Sequence, residues 1–282
     1  MRVCSYLMAD GTPSYGVVDG TTLIDAGAEL RARFSDLRAV LAADALANLP
    51  EKAAGDRIEL SGVTLLPPVP NPDKIICIGL NYMTHIKETG RDAPAKPSIF
   101  TRYPSSMVGH DVDLIRPKAS DWFDFEGELA VVIGKAGRAI PAARAYEHVA
   151  GYSCFNDGSV RDFQRHTTQF WAGKNFDRSG SMGPWLVSAD AFGDPAAQSM
   201  TTTLNGEVMQ STPISDLAFD VPALIEYIST VTELLPGDII ATGTPSGVGL
   251  FREPKLFMKA GDRVEVEISG IGVLSNAIVD EG

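Results

Sequence analysis

The sequence predicts a β-dominated α+β fold, in which a small N-terminal α+β domain precedes a larger second domain. Short apolar runs bounded by turn residues recur along most of the 282 residues, which is typical of strands. No regular alternation of strands and helices runs through the chain, and this speaks against a Rossmann or TIM-barrel plan. A proline-rich stretch at 66–72 favours an extended connection, so we place the domain boundary between residues 1–68 and 69–282.

The predicted N-terminal domain combines a small sheet with one helix. Residues 2–8 and 14–18 flank the turn sequence ADGTP, and a third run at 22–25 follows VDGT, which predicts a hairpin and a neighbouring strand. Apolar side chains at partial helical spacing predict a helix over 36–47, with Ser35 as its N-cap.

The larger domain is predicted to consist mainly of strands. Apolar runs of strand length place them at 74–78, 128–133, 148–155, 184–188, 200–204, 238–242 and 263–268. One further helix is predicted over 221–235, where apolar residues repeat at helical spacing.

Composition and charge exclude several classes of protein. A content of 44% hydrophobic and 21% charged residues argues against a disordered or fibrous chain. A net charge of -12 without a cluster of Lys and Arg opposes a nucleic-acid partner. No apolar run approaches the roughly 18 residues that span a bilayer, so no membrane partner is expected. Cys4, Cys77 and Cys154 suit neither a disulfide framework nor a CxxC metal site, and we expect a cytoplasmic protein.

Three carboxylates are candidates for a metal site. Glu126 and Glu128 lie two apart at the start of an apolar run, and residues at i and i+2 of a strand point to the same face. Two carboxylates beside a buried run repel each other unless a cation lies between them. Asp157 follows the next long strand in a turn, where site residues are often presented. Oxygen ligands alone suit Mg²⁺ or Mn²⁺, with Ca²⁺ as a substitute. Spacing alone favours a solvated strand face for the two glutamates and an ordinary turn for Asp157.

A histidine and a lysine are candidates for catalysis. His85 and Glu88 lie three apart, so on one helical turn the carboxylate would orient the imidazole as a general base. An ordinary solvated helix pair fits the same spacing. Lys174 lies among glycines and aromatic residues, where its charge would stabilise an enolate or a carboxylate, although most lysines lie on the surface.

Two polar residues and one loop are candidates for binding an anionic substrate. Arg161 and Gln164 follow Asp157 by four and seven residues, so a helix that begins there would place all three on one face. The loop sequence TGTPSGVG follows an apolar strand and would offer backbone N–H groups to carboxylate oxygens. It matches neither the Walker A pattern nor GxGxxG, which argues against a nucleotide site.

These motifs together resemble the fumarylacetoacetate hydrolase family over about residues 70–280. In chain order they are GLNYxxHxxE, FEGELAVVIG, NDxxxRDxQ, the Lys174 segment and TGTPxGVG. The sequence is similar to shorter, bacterial-type members, which include acylpyruvate hydrolases, keto-acid decarboxylases and isomerases. The resemblance implies a mixed β-roll catalytic domain, a homodimer, and Mg²⁺ or Mn²⁺ held by Glu126, Glu128 and Asp157.

The resemblance also assigns roles to other residues. It implies that the segment of His85 and Glu88 is a lid that orders over substrate to activate water, and that Lys174 is the cation near the substrate. The positions that bind substrate carboxylate and carbonyl groups fall on Arg161, Gln164, Gly243 and Thr244. Relatives often have Lys where this chain has Arg102, which presents a planar fork and is included among the substrate-binding residues.

The leading hypothesis is hydrolysis of a carbon–carbon bond in a 2,4-diketo acid of the acylpyruvate or fumarylpyruvate type. His85, oriented by Glu88, would deprotonate water, while Lys174 and Gln164 would stabilise the oxyanion. Decarboxylation of an oxaloacetate-type acid and keto–enol or double-bond isomerisation use the same enolate and remain alternatives. A non-catalytic protein that binds small acids is a remote alternative.

Overall fold

The computed structural model describes residues 1–88 and 95–282, without the side chains at positions 85, 87 and 88. The described strands are β1 (Arg2–Leu7), β2 (Pro13–Asp19), β3 (Thr22–Asp25), β4 (Arg57–Glu59), β5 (Thr64–Leu65), β6 (Ile75–Gly79), β7 (Ser98–Arg102), β8 (Met107–Val108), β9 (Leu114–Arg116), β10 (Phe123–Asp124), β11 (Gly127–Ile133), β12 (Val149–Asn156), β13 (Ser159–Val160), β14 (Gly180–Ser188), β15 (Ser199–Leu204), β16 (Glu207–Pro213), β17 (Ile239–Ala241), β18 (Arg263–Ile268) and β19 (Gly272–Asp280). The described α-helices are α1 (Gly27–Arg33), α2 (Leu37–Ala42), α3 (Leu49–Lys52), α4 (Met83–Glu88), α5 (Arg161–Gln164), α6 (Trp171–Lys174), α7 (Ala189–Phe192) and α8 (Val221–Val231). In these ranges, no helix combines the length and the apolar character needed to cross a membrane.

The strands form a large mixed sheet, a second smaller sheet and a short ladder. The large sheet has the order β4-β3-β2-β1-β14-β12-β11-β17-β6-β7, with β5 beside β1 and β8 beside β14. The second sheet has the order β16-β15-β18-β19-β9, and β10 pairs with β13. Most neighbours are antiparallel, whereas β17 and β6, β14 and β8, and β19 and β9 run parallel. The predicted β-dominated α+β fold is confirmed.

The central strand β11 is buried on both faces. Leu129, Val131 and Ile133 pack into a core with side chains of the second sheet and of α8. Ala130 and Val132 lie in a separate core that includes residues of α1 and α2. Burial on both faces explains the continuous apolar run of this strand. It also fixes the register of β11, since a slip by one residue would exchange the two cores.

The N-terminal strands extend the large sheet. β1 pairs with β14, with Arg2 opposite Val187. The proline-rich stretch 66–72 has no helix or strand, yet Val69 is buried and the Ser5 hydroxyl donates a hydrogen bond to the Pro68 carbonyl at 2.7 Å. The boundary after residue 68 stays a prediction, but the two parts of the chain share one sheet.

The first predicted helix is shorter than expected and has a different N-cap. α2 begins after Asp36, whose carboxylate accepts a hydrogen bond from the Ala39 N–H at 2.8 Å, so that Asp36 and not Ser35 caps the helix. It ends at Ala42, because Asp44 adopts a left-handed conformation with a φ of 51°. The prediction over 36–47 therefore covered a helix and the turn that follows it.

The last predicted helix also ends early. Asp220 accepts from the Ala223 N–H at 2.9 Å and caps α8, which ends at Val231 because Thr232 is extended. Every predicted strand has a counterpart in the large or the second sheet, with ends shifted by a few residues. The sequence did not predict α1, β16 or β19.

Candidate active site

Two neighbouring strands bring three carboxylates together. Glu128 is the second residue of β11, Glu126 precedes that strand, and Asp157 follows the last residue of β12. Gly127 lies opposite Asn156 in this antiparallel pair, and the Asp157 N–H donates to the Glu126 carbonyl at 2.9 Å. One ligand oxygen from each carboxylate lies within 4.8 Å of the others, and all three residues are buried.

Lys174 lies between two of these carboxylates. Its Nζ donates to Glu126 Oε2 at 2.7 Å and to Asp157 Oδ2 at 2.6 Å. Burial acts to lower the pKa of Lys174, but Asp157 and Glu126 outweigh it and raise that pKa, so the side chain is an ammonium. Lys174 is only 1% exposed, which excludes the surface alternative.

Arg161 connects the carboxylates to the cavity. Its Nε donates to Asp124 Oδ2 at 2.7 Å, and its Nη1 donates to Glu126 Oε1 at 2.5 Å and to Gln164 Oε1 at 3.0 Å. Its Nη2 is buried without a hydrogen-bond partner in the described part of the chain. A buried donor without a partner costs free energy, so Nη2 is suited to receive a ligand oxygen.

The helix that was predicted to begin at Asp157 begins later. Residues Ser159–Val160 form β13 and pair with β10, so α5 starts only at Arg161. Arg161 and Gln164 share this short helix as predicted, whereas Asp157 belongs to the end of the neighbouring strand.

Arg102 lies behind Asp157 and does not line the cavity. Its Nη1 donates to Asp157 Oδ1 at 2.6 Å and to the Gly158 carbonyl at 2.9 Å. Its Nε donates to the Ser106 hydroxyl. Its Nη2 donates to the Ser106 carbonyl and to the Ser179 hydroxyl. These bonds occupy the five N–H groups of the guanidinium, and the side chain is fully buried. Arg102 therefore holds Asp157 in this structure, and its predicted contact with substrate stays a prediction.

The two glutamates have opposite electrostatic surroundings. Burial acts to raise the pKa of Glu126, but Lys174 and Arg161 outweigh it and lower the pKa to about 2. Burial also raises the pKa of Glu128 well above its usual range, and repulsion from Asp157 and Glu126 raises it further. A cation next to Glu128 would relieve this repulsion.

The cluster fits a hard divalent cation. Its buried carboxylates outnumber its buried cations, with Asp124, Glu126, Glu128 and Asp157 on one side and Arg102, Arg161 and Lys174 on the other. The oxygen-only donor set of the triad suits Mg²⁺ or Mn²⁺.

The loop after β17 supports the carboxylates. The Gly243 N–H donates to Oε2 of the metal-ligand candidate Glu128 at 2.8 Å, and the predicted contact of Gly243 with substrate stays a prediction. Gly243 has a φ of 104°, and a Cβ there would lie 2.8 Å from the Asn81 Cβ, which requires glycine. Thr244 lines the cavity as expected for a substrate-binding residue, and its hydroxyl donates to the Gly127 carbonyl at 3.0 Å.

A cavity of about 280 Å³ opens beside the carboxylates. Its polar lining consists of Glu126, Arg161, Gln164, Arg165, Lys174 and Thr244. Its apolar lining includes Phe100, Phe170, Val248 and Leu250. This size and this mixture of surfaces suit a small organic acid.

Asp124 is a site residue that the sequence analysis missed. Its carboxylate accepts hydrogen bonds from Arg161 Nε, from the Gly249 N–H at 2.8 Å and from the Leu250 N–H at 2.9 Å. It therefore fixes the position of the Arg161 side chain relative to the part of the cavity wall that contains Leu250. Asp124 precedes Glu126 by two residues, so the same spacing that singled out the glutamates would have identified it.

His85 and Glu88 belong to α4, but their side chains lie outside the described residues. The backbone that leads into α4 borders the cavity, since Gly79 and Leu80 line it. The predicted lid and general base therefore stay predictions.

Comparisons with known proteins match most of the chain to one family. The family model described as Fumarylacetoacetate (FAA) hydrolase C-terminal matches residues 74–279. An oxaloacetate tautomerase of Bacillus subtilis is 45% identical over 223 residues, which are 78% of this chain and 74% of that protein.

Solved structures also match along the whole chain. A 5-carboxymethyl-2-hydroxymuconate delta-isomerase from Mycobacterium smegmatis has a TM-score of 0.81 and 33% identity, covering 100% of both chains. A maleylpyruvate hydrolase from Sphingobium, solved with manganese(II) and pyruvate, has a TM-score of 0.81 and 29% identity, also covering 100% of both chains.

Proposed function

Because the chain belongs to the fumarylacetoacetate hydrolase family, we propose that it is a divalent-metal-dependent enzyme that interconverts the keto and enol forms of an oxaloacetate-type acid. The observation that carries the proposal is the buried triad of Glu126, Glu128 and Asp157, which lies in one site with Lys174 and the unpaired Nη2 of Arg161. The oxaloacetate tautomerase at 45% identity supports this reaction ahead of the hydrolysis that the sequence analysis placed first.

The metal would be held by the triad. When bound, Mg²⁺ or Mn²⁺ would act as a Lewis acid that polarises the keto group of the substrate and increases the acidity of the neighbouring carbon. Gly243 and Arg102 each hold one ligand, Glu128 and Asp157 respectively, so that these carboxylates are oriented before substrate arrives.

The side chains of this protein would bind the acid and stabilise its enolate. Arg161 Nη2 and Gln164 would bind substrate oxygens at the buried end of the cavity. Lys174 is held as an ammonium and would stabilise negative charge that develops on the keto oxygen. Phe100 and Phe170 exclude water from one wall, which strengthens these interactions.

The proton transfer at the carbon next to the keto group is assigned to His85, with Glu88 as the residue that orients it. This assignment comes from the sequence spacing and the family resemblance. The backbone at Gly79 and Leu80, which borders the cavity, leads directly to the segment that carries both residues.

A second candidate is hydrolysis of a carbon–carbon bond in a 2,4-diketo acid. The similarity to the maleylpyruvate hydrolase that was solved with manganese(II) and pyruvate favours it. Both reactions need the same enolate, but hydrolysis also needs a water that His85 would activate. Decarboxylation and double-bond isomerisation are further reactions of the same intermediate, and the similarity to the delta-isomerase favours the latter.

The test is turnover by purified protein loaded with Mn²⁺. We expect the protein to accelerate the loss of the ultraviolet absorbance of enol-oxaloacetate without consuming oxaloacetate. Glu128→Gln should remove nearly all of this activity, whereas Glu233→Gln, an exposed control, should keep it. Formation of pyruvate and a carboxylic acid from an acylpyruvate, with no effect on enol-oxaloacetate, would reject tautomerisation in favour of hydrolysis.

We also expect a homodimer, which light scattering on the same sample would test.

A further inference from the structure

The exposed end of the cavity carries a cation that the proposed reaction does not use. Arg165 lines the cavity next to Gln164 and is exposed to solvent. Its backbone N–H donates to the Asp162 carbonyl at 3.0 Å. Its guanidinium forms no hydrogen bond or ion pair with the residues that the structure describes.

The other cations of the cavity are already committed to carboxylates. Lys174 contacts Glu126 and Asp157, and within the described ranges Nη2 is the part of the Arg161 guanidinium without a hydrogen-bond partner. These groups lie at the buried end, where the keto acid unit would bind. Arg165 follows Arg161 by four residues at the end of α5, so the two guanidinium groups belong to neighbouring turns.

Among the described residues that line the cavity, the only cations are Arg161, Arg165 and Lys174. Phe170, Val248 and Leu250 are apolar lining residues. The alkyl tail of a substrate would pack against these apolar residues and would need no hydrogen-bond donor. A substrate with a distal carboxylate would need a donor, and a guanidinium matches a carboxylate in charge and in fork geometry.

We propose that Arg165 is a specificity-determining residue that binds the distal carboxylate of a dicarboxylic 2-keto acid. The inference rests on the proposed function, because it assumes that the keto acid end binds at the triad. It assigns the substrate to the dicarboxylic class, and the cavity of about 280 Å³ limits that substrate to a short chain. An exposed cation also attracts such an anion against the net charge of -12 on the whole chain.

The experiment compares two ligands that differ at the distal carboxylate. Oxaloacetate and its 4-methyl ester share the keto acid unit, but the ester has no distal carboxylate. With Mn²⁺-loaded protein, Arg165→Gln should lower kcat/KM for oxaloacetate by about 10- to 100-fold, mainly through KM, as expected for loss of a charged hydrogen bond. The same variant should change kcat/KM for the ester by less than about threefold. Arg165→Lys keeps the charge and should recover part of the loss, and Arg138→Gln, an exposed arginine outside the cavity, is the matched control.

Binding measured by calorimetry separates this proposal from the proposed function. If wild-type protein binds oxaloacetate more tightly than the ester and Arg165→Gln removes the difference, the subsite is supported even if neither ligand is turned over. Absence of turnover would then reject the proposed function alone. Equal effects of Arg165→Gln on both ligands, no effect on either, or a lysine variant no better than the glutamine variant would overturn the role of Arg165.

Discussion

Lys174 and Arg102 hold the carboxylate of Asp157 from two sides. Lys174 contacts Oδ2 and also Glu126, while Arg102 contacts Oδ1. Both cations are buried, so their interactions are weakly screened by solvent. The negative charge of the site is thereby partly neutralised, and the protein can fold with its carboxylates in place before a metal binds.

Replacement of Lys174 by methionine tests this neutralisation. Lys174→Met removes one partner from two buried ion pairs, and we expect the free energy of unfolding to fall by about 3–5 kcal/mol in the absence of metal. Mn²⁺ should restore part of this loss, because it supplies positive charge to the same carboxylates. Urea unfolding with and without Mn²⁺ measures both effects. Lys259→Met, an exposed control, should change stability by less than about 0.5 kcal/mol. Equal losses in the two variants would contradict the neutralising role.

Replacement of Arg102 by lysine tests how Asp157 is oriented. Lysine keeps the charge but offers three rotatable donors in place of a rigid fork with five. We therefore expect Arg102→Lys to weaken Mn²⁺ binding by about 10- to 100-fold. Activity should recover at saturating Mn²⁺, since the ligand itself is unchanged. Calorimetric titration with Mn²⁺ measures the affinity, with Arg138→Lys as the exposed control. Unchanged affinity would show that the Arg102 hydrogen bonds do not orient the ligand.

The sequence identified the residues of the triad but not their supports. The spacing of Glu126 and Glu128 and the turn position of Asp157 made all three candidates, and the family resemblance then favoured a metal site over a solvated strand face. The contacts of Arg102 with Asp157 and Ser179 were not predicted, because these partners lie 55 and 77 residues away in the chain. Spacing rules report only neighbours on one element, so a buried network between distant segments leaves no local pattern.

At the scale of elements, Asp124 couples α5 to the cavity wall. Its two oxygens accept hydrogen bonds from Arg161 on α5 and from the backbone of Gly249 and Leu250. A Cβ at Gly249 would lie 2.7 Å from Asp124 Oδ1, so this close approach requires glycine. The direction of the Arg161 side chain and the position of Leu250 therefore depend on one carboxylate.

Asp124→Asn should disturb substrate binding more than metal binding. The side-chain amide of asparagine would place its own N–H group against N–H groups that now donate to the Asp124 carboxylate. At least one of these hydrogen bonds would be lost, and a hydrogen bond to a charged group contributes about 1.5–3 kcal/mol. We expect KM for oxaloacetate to rise by about 10- to 100-fold, with the Mn²⁺ affinity within a few-fold of wild type. Steady-state kinetics and metal titration measure the two quantities. Asp121→Asn is the control, because that side chain is 90% exposed. A larger effect on Mn²⁺ affinity than on KM would place Asp124 among the metal supports.

Elements with strong local signals were predicted, and elements defined by their neighbours were not. α8 has an aspartate N-cap, a proline in its first turn and apolar residues at helical spacing. β19 lacks a simple alternation, because it pairs with both β18 and β9 and several consecutive residues are buried. Tertiary contacts determine such a strand, and they are not visible in a short window of sequence.

At the scale of the whole molecule, the N-terminal region is joined to the rest by strand pairing. β1 lies between β2 and β14 in the large sheet, and the core on one side of β11 contains residues from α1 and α2. Separate domains would each have their own core. The shared sheet and core therefore predict that the described parts of the chain unfold together, in a single cooperative transition.

Asp25 is the residue at which this cooperativity can be tested. It is buried on β3 and accepts hydrogen bonds from Tyr6, from Ser14 at 2.5 Å, from the Gly27 N–H at 2.8 Å and from Arg31. Burial acts to raise the pKa of Asp25, but these donors outweigh it and lower that pKa. We expect Asp25→Asn to lower the free energy of unfolding at neutral pH by about 2–3 kcal/mol, because donors would then face an amide.

The pH dependence of that difference follows from the direction of the shift. A carboxylate with a lowered pKa in the folded state contributes stability that is present above its unfolded pKa of about 3.9 and is lost as pH falls through the folded value. The gap between wild type and Asp25→Asn should therefore be constant from neutral pH to about pH 5 and should shrink below about pH 4. Urea unfolding over this range measures it, and Asp177→Asn, an exposed control, should show no such gap.

The number of transitions decides between one cooperative unit and two. If the shared sheet makes the molecule one unit, Asp25→Asn will shift a single unfolding curve. Tryptophan fluorescence and circular dichroism will then give the same curve. Fluorescence reports on the rest of the chain, because two of the three tryptophans, Trp122 and Trp171, lie far from Asp25 in the sequence. If the region before residue 68 is an independent domain, the substitution will move only an early transition and leave a later one unchanged. Addition of Mn²⁺ tests the same question from the other part of the chain, where the triad would bind it. In a single cooperative unit, bound Mn²⁺ raises the urea midpoint of unfolding for the N-terminal strands as well as for the rest.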